Sequence, residues 1–151
     1  SYIGGILKNN DRSQDRMRGY REALEKHGRP FDPNLARESR YEFGSGAAAM
    51  QSLLTKSHGI DCVFASSDII AFGALMECHR NDIKIPQNIA LAGFDNTAIG
   101  AIYKPALTTI SVPRQRIGLK AAEITLQLIN GEDDIQKLND LGFDLKVRDT
   151  T

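Results

Sequence analysis

Four residues at four separate places could act on one small molecule: Arg16, Tyr41, Ser67 and Asp95. An arginine presents a planar fork of donors, a serine a hydroxyl that donates and accepts, an ionised aspartate an acceptor. A tyrosine adds an aromatic face. Such a set matches a polyhydroxylated ligand, with the carboxylate accepting from hydroxyls and the ring lying on the apolar face of a sugar. Each residue also has an ordinary alternative. Arg16 can pair with Asp11 or Asp15, Tyr41 can be core, and Asp95 can open a turn with Asn96. At the level of pattern both readings stand.

Catalytic and cofactor chemistries have less to rest on. Gly4-Gly5 and Gly44-Ser45-Gly46 belong to no G-x-G-x-x-G or G-x-x-x-x-G-K-[ST] sequence. Ser66-Ser67-Asp68 lacks a G-x-S-x-G elbow, and no histidine falls in the other strand-end loops to act as base. His27, His58 and His79 are far apart, each near a helix end, which reads as surface or capping rather than metal binding. Cys62 and Cys78 form no C-x-x-C and sit among apolar neighbours, as two buried thiols of a reducing compartment would. The sequence therefore points to a binding site with no cofactor, no metal and no enzymatic role.

The elements that position these residues alternate. Tyr2–Leu7 reads as a buried strand, followed by a helix capped by Ser13 with Met17, Tyr20, Ala23 and Leu24 on one face. Leu35–Phe43 is a polar extended segment. Ser45 opens a second helix with Ala48, Met50, Leu53 and Leu54 as its apolar positions. Cys62–Ser66 is a strand, and Asp68 is placed to cap the helix Ile69–Asn81. Ile89–Gly93 is a strand, Phe94–Pro105 irregular, and Leu107–Ser111 extended. Pro113 begins a helix to about Asn130, with Ile117, Ala121, Ile124 and Leu128 on its apolar face. A charged stretch, 132–139, precedes an alternating edge strand, Leu141–Val147. This order predicts an α/β fold: a parallel sheet with helices on both faces. In such sheets ligands bind beyond the carboxyl ends of the strands, where Ser67 and Asp95 fall.

With 151 residues, 41% hydrophobic and 25% charged, the chain suits one globular domain. Lys+Arg and Asp+Glu both number 19, so there is no basic excess to neutralise phosphates. This chain is not expected to hold DNA by itself. No apolar run approaches the ~20 residues that span a membrane, and the opening SYIGGIL has no signal-peptide pattern, so a cytoplasmic location is expected.

Gly93–Asn96 (GFDN) and Pro105–Ile110 (PALTTI) resemble the lactose-repressor/galactose-repressor (LacI/GalR) family of bacterial transcription regulators. Arg16–Tyr20, Val63–Asp68 (VFASSD), Ala71–Ala74, Ile85-Pro86, Ile89–Asn96, Pro113-Arg114, Ile117-Gly118, Ala121-Ala122 and Ile129–Glu132 extend the resemblance over nearly the whole chain. It implies one lobe of a periplasmic-binding-protein-like effector domain. Residues 1–111 would be the second lobe, 112–131 a crossover helix that packs on the first lobe, and 132–151 a return segment. The DNA-binding head and most of the first lobe would lie outside this chain, and operator DNA would be met only through that head. By resemblance Arg16 clamps the effector, Tyr41 stacks on it, Ser67 stands where some members have asparagine, and Asp95 holds ligand hydroxyl or ring-nitrogen groups. Asn10 and Arg12 occupy a loop that touches effector in some members. Val112 replaces a glutamine that faces the site in several. The ending Asp140–Phe143, with Ile99-Gly100, is most similar to the gluconate-repressor branch, so a sugar or sugar acid, gluconate among them, is the implied effector.

Self-association is also expected. Phe72, Leu75 and Met76 on the helix after Asp68, with Ile99, Ile102 and Tyr103 in the loop after GFDN, make an apolar set where loops are normally polar. In the family this helix and loop meet their copies across a two-fold axis, which implies a homodimer. The competing function is a periplasmic sugar-binding receptor of a transport system.

Overall fold

A computed structural model describes residues 1–56, 59–133, 135–136 and 138–151. Its elements are β1 (Tyr2–Gly5), α1 (Asp11–Lys26), β2 (Ala36–Ser39), α2 (Phe43–Lys56), β3 (Cys62–Ala65), α3 (Asp68–Arg80), β4 (Ala90–Phe94), α4 (Ala98–Ile102), β5 (Thr108–Ser111), α5 (Arg114–Ile129) and β6 (Asp144–Lys146). The sheet runs β2-β1-β3-β4-β5-β6. β1 to β5 pair in parallel, and β6 adds antiparallel to the outer edge of β5. His58 and residues 134 and 137 of the charged stretch lie outside the described residues.

Side chains alternate across the strands and build two unequal layers. Ile3, Val63, Ala65, Leu91 and Leu107 join the core with Met50 and Leu53 of α2 and Ile70, Ala74 and Leu75 of α3. On the opposite face Tyr2 packs between Tyr20 of α1 and Phe64 of β3, with ring centroids 5.1 and 5.9 Å away. α2 and α3 approach until their backbones nearly touch. A Cβ on Gly46 would lie 2.6 Å from the Ile70 carbonyl oxygen, and one on Gly73 would strike the Phe43 carbonyl. Only glycine fits at this crossing, which explains the small residues in GSGAAA and AFGAL.

Helix starts differ from the sequence reading. Asn10, not Ser13, caps α1: its side chain accepts from Ser13 N at 3.1 Å, and Ser13 is carried inside the first turn. α2 starts before Ser45, which lies within it and donates to Glu42. Ser67, not Asp68, caps α3. The segment expected to be irregular contains α4. Ala23 and Ala48 are exposed, whereas Ser13 and Gly46 occupy the buried faces instead. Cys62 is exposed because it starts β3, and only Cys78 is buried. The C-terminal residues wedge between the starts of β4 and β5: buried Thr150 donates to the Leu91 carbonyl at 2.6 Å and accepts from Thr108 N at 2.8 Å.

No residue of α5 is buried. Ile117, Leu119, Leu126, Leu128 and Ile129 all present apolar surface to solvent. No helix among the described residues is long and apolar enough to cross a membrane.

Candidate functional site

The carboxyl ends of β1, β3 and β4 and the loop after β2 deliver the candidate residues to one edge. Arg16 lies one turn into α1, and its guanidinium carbon sits 4.2 Å from the centre of the Phe94 ring. Its Nη1 donates to the Tyr41 hydroxyl at 3.4 Å, a weak bond by length. The same hydroxyl meets Ser13 Oγ at 3.1 Å. Gly5, the last residue of β1, makes that contact possible, since any Cβ there would collide with Ser13 Oγ and Tyr41 Oη. Ser66 Oγ closes the end of β1 by accepting from Gly5 N at 3.1 Å. Tyr41 stays half exposed beside this cluster.

Asp95 follows β4 with φ 116, a left-handed conformation that costs an L-residue strain, and Asn96 follows with φ 51. Asp95 N donates to the Ile110 carbonyl at 2.9 Å, which holds the strained residue against β5. Burial pushes the Asp95 carboxyl above the usual aspartate range; Arg16 pulls it down, Asp68 pushes it up and Arg114 pulls it down. A strained, partly desolvated carboxylate at a strand end is the kind of group functional sites retain.

The other expected residues sit differently. Ser67 is 3% exposed, and its Oγ accepts from Ile70 N at 3.3 Å, so its hydroxyl is engaged as the α3 cap. Asn10 spends its side-chain oxygen on the α1 cap, while Arg12 is exposed in the first turn of that helix. Val112 lines an apolar niche of about 160 Å³ with Phe94, Ile110, Gly142 and Phe143, beside the ring that carries Arg16. Phe94, Ser13 and Gly5 belong to the site but were not among the expected residues. The sequence signal for Phe94 is its position directly before Asp95 at the end of β4.

The apolar surface set also divides. Leu75 is fully buried and Phe72 is 5% exposed, both in the domain's own core, because α3 turns this face to the sheet. Tyr103 packs edge-on against Phe72 at 5.5 Å and is partly covered. Phe72 and Leu75 are therefore core residues of the single chain, while Tyr103 keeps part of its surface beside them. Met76, Ile99 and Ile102 remain exposed, Ile102 to 78%.

Together these features place an arginine, a tyrosine and a strained aspartate at the carboxyl edge of a parallel sheet. Among the described residues no three His, Cys, Asp or Glu side chains gather as a metal site. Residues 1–151 match the periplasmic binding protein-like domain family end to end. The chain belongs to that family, in the form carried by LacI-type transcriptional regulators. It is 36% identical over 117 residues to the transcriptional repressor CytR of Escherichia coli K12, covering 78% of this chain and 34% of that protein. It is 34% identical over 146 residues to the regulator GntR of the same organism, covering 96% of this chain and 43% of GntR. The chain thus spans less than half the length of these relatives. Among solved structures, the regulator GntR from Chromobacterium violaceum superposes with TM-score 0.90 at 33% identity, over 99% of this chain and 55% of that one. A CelR–cellobiose complex superposes with TM-score 0.93 at 28% identity, over 100% of this chain and 46% of the other. These relatives are transcriptional regulators, not enzymes.

Proposed function

We propose that this chain is one lobe of the effector-binding domain of a LacI-type transcriptional repressor, and that a sugar or sugar acid binds against Arg16, Tyr41 and Asp95. The observation that carries the reading is the convergence of Arg16, steadied on Phe94, with a strained and partly desolvated Asp95 at one sheet edge. Arg16 supplies paired donors, Asp95 accepts from hydroxyls, and the half-exposed Tyr41 ring offers an apolar face. Asn10, Arg12 and Ser67 serve as flanking residues, Ser67 by setting the α3 start rather than by reaching into solvent. The site performs binding without a reaction, so the protein is a regulator and not an enzyme, acting in the cytoplasm.

Residues 112–131 form a crossover whose apolar positions are covered by a first lobe, and 132–151 return the chain to β6 and the β4–β5 wedge. Ile99 and Ile102 of α4, with Met76 of α3, supply a homodimer contact that sets two DNA-reading heads on one operator.

A thermal-shift screen of the full-length repressor tests the reading. The panel holds aldonates including gluconate, pentoses, hexoses, nucleosides and cellobiose. One class should raise the melting temperature in a saturable way, and Asp95→Ala should abolish that rise. A panel with no saturable response, or one retained in full by Asp95→Ala, contradicts the assignment.

A further inference from the structure

Asp68 is fully buried at the start of α3, and its part in the molecule is not the helix cap that its position suggests. Its Oδ2 accepts from Thr97 N at 2.6 Å and from Thr97 Oγ1 at 2.8 Å. Its Oδ1 accepts from Thr109 Oγ1 at 2.6 Å. Thr109 Oγ1 in turn accepts from Asn96 N at 3.3 Å. From the other side Arg148 Nη2 donates to Asn96 Oδ1 at 2.6 Å, while Nη1 donates to the Leu107 carbonyl at 2.7 Å. Asn96 Nδ2 completes the set by donating to Ser111 Oγ at 3.2 Å. Asp95 and Asn96, both at positive φ, are therefore held through two charged side chains distant from them in sequence, Asp68 of α3 and Arg148 near the C-terminus.

A strained turn persists only where its surroundings over-determine it. Here the turn lies between β4, which ends at Phe94, and α4, which starts at Ala98, and its backbone bond to β5 runs from Asp95 N to the Ile110 carbonyl. The three intervening residues are held further by Asp68 through Thr97 and Thr109, and by Arg148 through Asn96. We propose that Asp68 and Arg148 are positioning residues for Asp95: together they fix the Asp95–Thr97 turn in the one geometry that presents the Asp95 carboxylate at the sheet edge. Neither touches a ligand in this arrangement. Asp68 works from beneath the turn, and Arg148 belongs to the C-terminal segment that wedges between β4 and β5. The inference rests on the reading of Asp95 as a ligand contact, but its test needs no ligand, so the two can fail separately.

The test is amide hydrogen exchange and carboxyl-carbon NMR titration on the intact chain. Thr109→Val removes the hydroxyl shared by Asn96 and Asp68 at nearly constant volume, Thr109→Ser restores it, and Arg148→Met removes the other anchor. Thr109→Val and Arg148→Met should speed exchange at Asn96 and Thr97 at least about tenfold. Core amides such as those of Val63 and Leu75 should hold their parent rates. Thr109→Ser should behave as the parent. In Asp68→Asn the Asp95 titration should move to lower pH, because Arg16, Asp68 and Arg114 are the charges that act on it and only the like charge is lost. Unchanged turn exchange in Thr109→Val and Arg148→Met overturns the proposal. Acceleration spread equally over turn and core also overturns it, since that marks general stabilisation. Should Asp68→Asn not fold, the Thr109 pair and Arg148→Met decide.

Discussion

The Arg16 guanidinium rests 4.2 Å from the centre of the Phe94 ring, and Phe94 is bonded directly to Asp95. One strand end thus steadies the cation with its aromatic ring and presents an acceptor on the next residue. A long arginine loses side-chain entropy when a ligand fixes it, and a platform that pre-orders the fork reduces that loss.

Phe94→Leu should weaken effector binding even though leucine preserves an apolar strand end. A cation over an aromatic face contributes about 0.5–2 kcal/mol, which corresponds to roughly 2- to 30-fold in affinity. Calorimetric titration of the full-length repressor with its effector measures it. Equal affinity in parent and variant would separate Phe94 from the site.

Gly73→Ala should destabilise the domain without touching the sheet edge. Its added methyl group meets the Phe43 carbonyl and the Gly46 backbone, which cannot yield as a flexible side chain would. Overpacking of this kind costs about 1–3 kcal/mol. Urea unfolding reads the loss as a lower midpoint. An unchanged midpoint would mean that α2 and α3 slide apart at little cost.

The raised Asp95 carboxyl carries a pH signature. Between the ordinary aspartate value of 3.8 and the raised one, the folded state keeps a proton that the unfolded chain has released. Stability contributed by this group is therefore complete below 3.8, falls as pH rises through that window, and is level above it. Asp149 runs the opposite way: Ala106 N and Lys104 hold its carboxyl low, so its contribution is lost as pH falls. The parent minus Asp95→Asn difference in urea midpoint isolates the first effect. It should move toward the variant as pH rises from 3.8 through the raised value and level off above it. A difference that moves toward the parent as pH rises through that window would contradict the assigned direction.

Ile102→Asp, a change at a side chain 78% exposed in the single chain, should leave the melting temperature of the monomeric unit unchanged and disrupt the proposed homodimer. Sedimentation at micromolar concentration separates the species. Dimers that persist with Ile102→Asp and Ile99→Asp combined would move the contact to the apolar side of α5.

The alternation of strands and helices was legible because apolar runs of four or five residues are separated by periodic segments with turn residues between them. Helix starts were less so. Asn10 and Ser13, or Ser67 and Asp68, are all good caps, and the choice depends on where the preceding strand releases the chain. α4 escaped because five residues, AIGAI, carry no usable period. Asp68 was misread for a different reason: its partners Thr97 and Thr109 stand 29 and 41 positions away, and no local pattern reports them. Phe72 and Leu75 were placed on the surface because apolar side chains on α3 do not declare which face meets the sheet. Arg16 and Asp95 were legible as candidates by residue type and place, whereas Phe94 and Gly5 act through contacts made only once β1, β4 and α1 are assembled.

The most direct measurement is the dissociation constant of the effector from full-length repressor, determined by calorimetry for parent, Arg16→Ala and Asp95→Ala. Removing a buried partner of a charged hydrogen bond costs about 2–5 kcal/mol, so each variant should bind at least about 30-fold more weakly while its circular dichroism spectrum stays that of the parent. Parent-like affinity in Asp95→Ala would place the effector elsewhere and contradict the account.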